Sequence, residues 1–207
     1  MASLLTLTRS PSGTPCAASD PSGEVLYFVY GSNMNSAQLE ARGVRPMRMF
    51  TAKLPGSRLA FHGHSRTWGG GLETVVPDPD HDVYGVVLVL SPSAADALDS
   101  CQGVRLNGTG SYFHFPTVVY DAHGDGHEVL IYKLDVVGEP RKPSRHYLEC
   151  IIAGALERNL PPLYVDRLTR LEARQTDDTA PDPGVSAGAF AIMSCAGCGQ
   201  DDPFDED

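Results

Sequence analysis

Several features that would have set the class of this chain are missing. No apolar run approaches the roughly 20 residues that a helix needs to cross a bilayer, so no membrane partner is expected. Lysine and arginine form no cluster or stripe, and the formal net charge is -10 with a pI near 5.0. Binding a phosphate backbone needs grouped cations, so no nucleic-acid partner is expected either. Cysteine is scarce: Cys16, Cys101, Cys150, Cys195 and Cys198 are odd in number and widely scattered. That argues against a disulfide framework and for a reducing compartment. The first 20 residues carry only a short apolar piece with Arg9 behind it, a poor secretory signal. A cytoplasmic location is therefore the expectation.

What is present suffices for one domain with a core, since 42% of the 207 residues are hydrophobic. Residues 1–23 are rich in Ser, Pro, Thr and Gly without periodicity and are expected to form a flexible arm. Residues 176–207 run from 176-TDDTAPDPG-184 to 201-DDPFDED-207 and are expected to be an acidic, mostly disordered tail. Its Cys195 and Cys198 form one C-x-x-C, which cannot close a four-ligand zinc site alone. The domain is expected over residues 24–175, with no internal repeat.

Inside it, 25-VLYFVY-30 is a continuous apolar run, as in a strand covered on both faces. Asn35 or Ser36 can cap a short helix that Gly43 closes. Strands are expected at 47–54, 57–63, 71–76 and 83–90, then at 112–120 and 128–134 around the Asp- and Gly-rich turn 121-DAHGDGH-127. Ser91 and Pro92 suit the start of a short helix through residue 100. Pro143 and Ser144 start a longer one to about Asn159, with Tyr147, Ile151 and Ala155 on one face. Pro161 and Pro162 open a last helix. Many strands with few helices argue for an α+β fold with a largely antiparallel sheet, a sheet that can close into a barrel.

Three places carry candidate chemistry. In 27-YFVYGSN-33 a buried strand ends at Tyr30. Gly31 lets a ligand approach the backbone, Ser32 and Asn33 add a hydroxyl and an amide, and the following helix points N–H groups back at the loop. A small-anion site and an ordinary strand-to-helix turn both fit. The second place is 98-LDSCQGV-104, before the Gly-rich 107-NGTGSY-112. The third is Tyr147, whose hydroxyl needs a partner if buried.

Taken together these stretches resemble the γ-glutamylcyclotransferase family. The family pattern has Y-G-S-N after the first strand, here Tyr30 to Asn33. A Trp-and-Gly stretch follows, here 68-WGGGLETVV-76, then V-x-G-V-V, here 83-VYGVV-87, and L-D-x-x-E-G-V, here 98-LDSCQGV-104. Ser144 and Tyr147 match its Ser-x-x-Tyr, and 159-NLP-161 its N-x-L-P or N-L-P. The resemblance covers residues 25–172. It implies a small mixed or antiparallel β-barrel with flanking helices. It also implies a substrate site from Tyr27, Phe28, Val29, Tyr30, Gly31, Ser32 and Asn33, with Tyr112 and Tyr147 near it. The implied reaction needs no cofactor and no metal: the α-amine of a γ-glutamyl group attacks its own γ-amide carbonyl, 5-oxoproline forms, and an amine leaves. A positioned carboxylate would move the protons, and the internal geometry gains from proximity.

At the base position of that pattern this chain has Gln102, not Glu. An amide does not titrate near neutral pH. The expectation is a low-activity or substrate-trapping form, whether exchanged by design or not. The alternatives are a non-catalytic γ-glutamyl-binding protein, or a second acid in the role: Glu73 first, then Asp99 and Glu128. Rival chemistry is weaker. The seven histidines offer no helical i, i+4 pair of the His-Glu-x-x-His kind, since His123 and His127 share a turn, and they are expected at strand ends and turns. Cys101 is expected to be a structural or incidental thiol. Phe113, Phe115 and Tyr120 are expected to be sheet packing. Arg66 and Trp68 are candidates for touching a larger leaving group.

Overall fold

Two long strands set the architecture of the computed structural model, which describes residues 23–65, 67–104, 110–134 and 138–174. The first strand, β1, is Val25–Val29; the long pair is β2 (Arg48–Ser65) and β3 (Gly70–Leu90); β4 is Tyr112–Asp121 and β5 Gly126–Leu134. Round the barrel the order is β1-β3-β2-β4-β5. Neighbours are antiparallel except at the closure, where β1 runs parallel to β5 with Tyr27 beside Leu130. The helices are α1 (Ser36–Ala41), α2 (Pro92–Cys101), α3 (Arg145–Glu157) and α4 (Pro162–Thr169).

The four strands expected between residues 47 and 90 are in fact two. Pro55-Gly56 and 77-PDPDHD-82 look like chain breaks in sequence, because Pro cannot donate to a ladder and Gly is poor in strands. In the structure these breaks lie opposite each other. Pairing jumps from Pro55 with Asp82 to Ser57 with Pro77, and Gly56 takes a left-handed φ of 62°. The irregularity is a bulge that bends both strands without ending either.

The helix starts follow their caps. Asn35 Oδ1 accepts from the Gln38 N–H at 3.1 Å, Ser91 Oγ from Ala94 at 3.3 Å, and Ser144 Oγ from Tyr147 at 3.2 Å. Each satisfies an N–H that the first turn leaves without a partner. The expected face of α3 is buried: Tyr147, Ile151 and Ala155 expose 2%, 0% and 0% of their surface. Beside them Gly154 lets the helix press on the loop after β1. A Cβ there would meet Asn35 N at 2.8 Å and Met34 Cβ at 2.9 Å. Arg158 adds a hydrogen bond from Nε to the Met34 carbonyl at 2.8 Å. The loop after β1 is thus clamped between sheet and helix.

One expectation about packing fails. Phe113, Phe115 and Tyr120 lie outward on β4, each about two-fifths exposed. The inward places of this barrel wall belong to Tyr112 and Val119, and Lys133 Nζ lies 4.6 Å above the Phe115 ring.

Candidate functional site

The loop that leaves β1 is a buried 3₁₀ turn. Met34 N–H bonds to the Gly31 carbonyl and Asn35 N–H to that of Ser32, both at 3.1 Å. The tight turn, Ser32–Met34, precedes α1 and was not anticipated. Its early N–H groups have no partner within the turn. Ser32 and Asn33 are each only 2% exposed, so their polar groups must be answered inside the protein or by a ligand.

The answer on one side is Arg42, which sequence reasoning passed over. It sits at the C-terminus of α1, where an arginine normally reaches into solvent, yet it is 4% exposed. Its Nη1 donates to Asn33 Oδ1 at 2.6 Å and to Gln102 Oε1 at 3.1 Å. One guanidinium nitrogen therefore joins the loop to the end of α2. The only sequence signal is an Arg placed directly before the helix-ending Gly43, whose φ is 68°. Gln102 caps α2, with its N–H on the Leu98 carbonyl at 3.0 Å, and the turn through Gly103 (φ 64°) carries the chain away.

The other side of the loop meets Glu73, from β3. It is 5% exposed, and its Oε2 accepts from the Tyr112 hydroxyl at 3.0 Å. The same hydroxyl lies 3.0 Å from the Glu73 carbonyl oxygen. The carboxylate lies against the Cα of Gly31: any Cβ at that position would collide with Glu73 Oε1. The protein's own carboxylate therefore fills the space that a side chain at position 31 would need. Burial pushes the Glu73 carboxyl up to about 7, against the opposing pull of its own backbone N–H, the Tyr112 hydroxyl and the Arg42 charge. Tyr112 itself is pushed well above its ordinary range by burial and by Glu73, so it stays a donor.

These groups line two spaces that share Gln102. The wider, about 380 Å³, is bounded by Ser32, Arg42, Gln102, Tyr112 and Tyr147, with Trp68 and Ser111 toward the hairpin end. The smaller, about 210 Å³, is bounded by Phe28, Val29, Tyr30, Gly31, Asn33 and Glu73. Trp68 and Tyr147 pack ring to ring at 4.5 Å. Arg66 and most of the Gly-rich loop, residues 105–109, lie outside the described residues.

Tyr27 borders neither space. Its hydroxyl donates to Asp99 Oδ1 at 3.0 Å and its ring stacks on Tyr132 at 5.2 Å. Asp99 also accepts from the Tyr132 hydroxyl at 2.6 Å and lies 2.9 Å from His114 Nε2. Burial works to raise the Asp99 carboxyl, but these partners outweigh it and hold it below the usual range. Asp99 thus fastens α2 to β1, β4 and β5 instead of facing the cleft. Glu128 is exposed on β5.

The rival constellations come apart. Cys101 is disulfide-bonded, which corrects the expectation of a structural or incidental thiol. Cys150 is a free thiol that burial pushes up to about 11. His81 lies 3.0 Å from Asp78, and His127 lies 3.0 Å from Asp121. Among the described residues no three of His, Cys, Asp and Glu come together as a metal site would need. No helix among them is long and apolar enough to cross a membrane.

Fold and site together define a small closed barrel of mixed strand direction, with a buried polar cleft where the first strand runs into helix. A model of the AIG2-like family matches residues 82–168. The human γ-glutamylcyclotransferase is 31% identical over 152 residues, covering 71% of this chain and 78% of that protein. The bovine γ-glutamylcyclotransferase is 30% identical over the same shares. A solved γ-glutamyl cyclotransferase structure superposes with a TM-score of 0.67 at 28% identity, over 77% of this chain and 94% of that one. The chain belongs to the γ-glutamylcyclotransferase family.

Proposed function

We propose that this chain takes a γ-glutamyl compound into the cleft and closes it to 5-oxoproline, releasing the γ-linked amine. The observation that carries the reading is the meeting of the Gly31–Asn33 loop, the Arg42 guanidinium and the Gln102 amide around a common cleft. A guanidinium beside loop N–H groups suits an α-carboxylate. The Gln102 oxygen suits a bond from the α-ammonium, although it cannot take the proton. The leaving portion then points toward Trp68, Tyr147 and Ser111, where the wider space lies. Within such a grip the α-amine folds back on its own γ-carbonyl. The attack is intramolecular and gains from proximity without a second substrate. A γ-glutamyl amino acid, glutathione or a glutathione-derived biosynthetic intermediate fits the chemistry of the cleft.

Gln102 itself favours a second reading, a binding protein that holds γ-glutamyl compounds without turnover. One experiment separates them. The chain and its Gln102→Glu variant are incubated with γ-glutamyl-alanine, glutathione and a glutathione S-conjugate, with and without a chelator. 5-Oxoproline is followed by mass spectrometry, and binding by calorimetry. Lactam from either protein, insensitive to chelator, is the result expected of a cyclotransferase. Binding by both with lactam from neither supports the binding protein. Absence of both ends the γ-glutamyl reading.

A further inference from the structure

We propose that Glu73, which borders the same space as Gln102, is the group that moves the protons in this chain, with Tyr112 as the residue that positions it. The inference rests on the cyclotransferase reading and deepens it. The position that the family pattern gives to a carboxylate holds an amide, yet the cleft is not without a carboxylate. Glu73 is the only acid among the described residues that border either space.

Its placement fits the role. The carboxylate lies against Gly31, the point where the loop can receive the amino-acid end of a substrate. Glu73 and Gln102 border the same smaller space. An α-ammonium lying between them can bond to the amide oxygen and give its proton to the carboxylate. Tyr112 holds the other oxygen, Oε2, from the far side at 3.0 Å, which fixes the carboxyl plane and leaves Oε1 toward the loop.

The cost of the arrangement also needs explaining. A carboxylate buried to 5% exposure is expensive unless it is paired. Its direct side-chain partner is a neutral hydroxyl, and Arg42 acts on it through space. A packing role at this place would be served at less cost by an apolar or amide side chain. Burial brings its titration to about 7, near the operating range of a general base.

The proton balance closes. The α-ammonium gives one proton to the Glu73 carboxylate, and the freed amine attacks the γ-carbonyl carbon. As the tetrahedral centre collapses, the bond to the leaving nitrogen breaks and Glu73 delivers its proton there. The attacking nitrogen then sheds its second proton to Glu73, which passes it to the departing amine. Two protons leave one nitrogen, two arrive on the other, and Glu73 ends ionised as it began.

The test uses the full chain, Glu73→Gln, Gln102→Glu and the double variant, with γ-glutamyl-alanine as the probe. Rates come from 5-oxoproline release at pH 5.5–9, affinity from calorimetry and folding from thermal melts. The chain itself should form lactam, with kcat/KM rising through an ascending limb near pH 7. Glu73→Gln should lower kcat about 100-fold or more, the usual scale of general base loss, while affinity stays within a few-fold. The double variant should recover part of the lost rate. Tyr112→Phe removes a bond that pulls the Glu73 carboxyl down, so the limb should move to higher pH. That shift is read without the Gln variant and keeps the test intact if Glu73→Gln fails to fold. Equal rates for the chain and Glu73→Gln overturn the role of Glu73 while the cyclotransferase reading stands. Activity only with Gln102→Glu does the same. No binding and no lactam from any of the four overturns both.

Discussion

A carboxylate buried inside a cleft ties the stability of the whole protein to pH. Glu73 titrates near 7 in the folded state against an ordinary value of 4.5. The folded state therefore holds its proton more tightly than the unfolded chain does. Its favourable contribution is complete below about pH 4.5 and is lost as pH rises through about 7. The shift corresponds to about 3 kcal/mol lost by pH 8. Glu73→Gln should remove that slope, so the melting temperatures of the two proteins should diverge from pH 5 to 8.5, the variant gaining at the alkaline end. Parallel curves would count against a protonated, buried Glu73. Arg42 works by charge in the opposite sense, as the cation of the cleft. Arg42→Met strips the donor from Asn33 and Gln102. It should weaken γ-glutamyl-alanine binding by about ten- to a hundredfold, the scale of a lost hydrogen bond to a charged group, as calorimetry would read.

At the scale of elements, the site depends on how closely α3 lies on the loop after β1. Gly154 is the point of closest approach, with Asn35 N and Met34 Cβ each under 3 Å from where a Cβ would stand. In an isolated helix Gly→Ala gains up to about 1 kcal/mol. Here crowding should reverse the sign, with Gly154→Ala costing about 1–3 kcal/mol in urea unfolding. A neutral or stabilising result would show that the loop has room to move. The cap of the same helix is an independent contribution: Ser144→Ala removes the bond to Tyr147 N–H and should cost about 1 kcal/mol. Both changes displace Tyr147 or the loop, so substrate affinity should fall along with stability. The caps of α1, α2 and α3 were legible because a hydroxyl or amide before an apolar repeat has a local cause. The β2 bulge was not, because Pro55-Gly56 is a turn in one context and a bend in another, and only the facing Pro77–Asp82 segment decides which.

At the scale of the molecule, the segment after α4 is tied back at Arg174, whose N–H bonds to the Pro143 carbonyl at 2.8 Å and which bridges to Ser144. That tie supports a domain of residues 24–175. A protein cut to those limits should melt in one transition, with a Tm within a few degrees of the full chain. Loss of cooperative melting would place part of the core's support outside them. Direct pairing of β1 with β3, and the Tyr27–Asp99 bond to α2, hold the end of β1 beside both elements, and that proximity builds the cleft.

The sequence by itself determined the fold class, the helix positions, the family and the presence of an amide at position 102. Each depends on local patterning, or on motifs that keep their order along the chain. Tertiary structure alone decided which of those residues meet. It turned Tyr27 away toward Asp99, left Phe113 and Phe115 on the outer face, and drew Arg42 from a helix end into the cleft. It also set Glu73 against Gly31, 42 positions away in the chain. Nothing local marks a lone glutamate in a strand as the acid of a site. Its burial, its titration and its neighbours come from packing, which exists only once the barrel has closed.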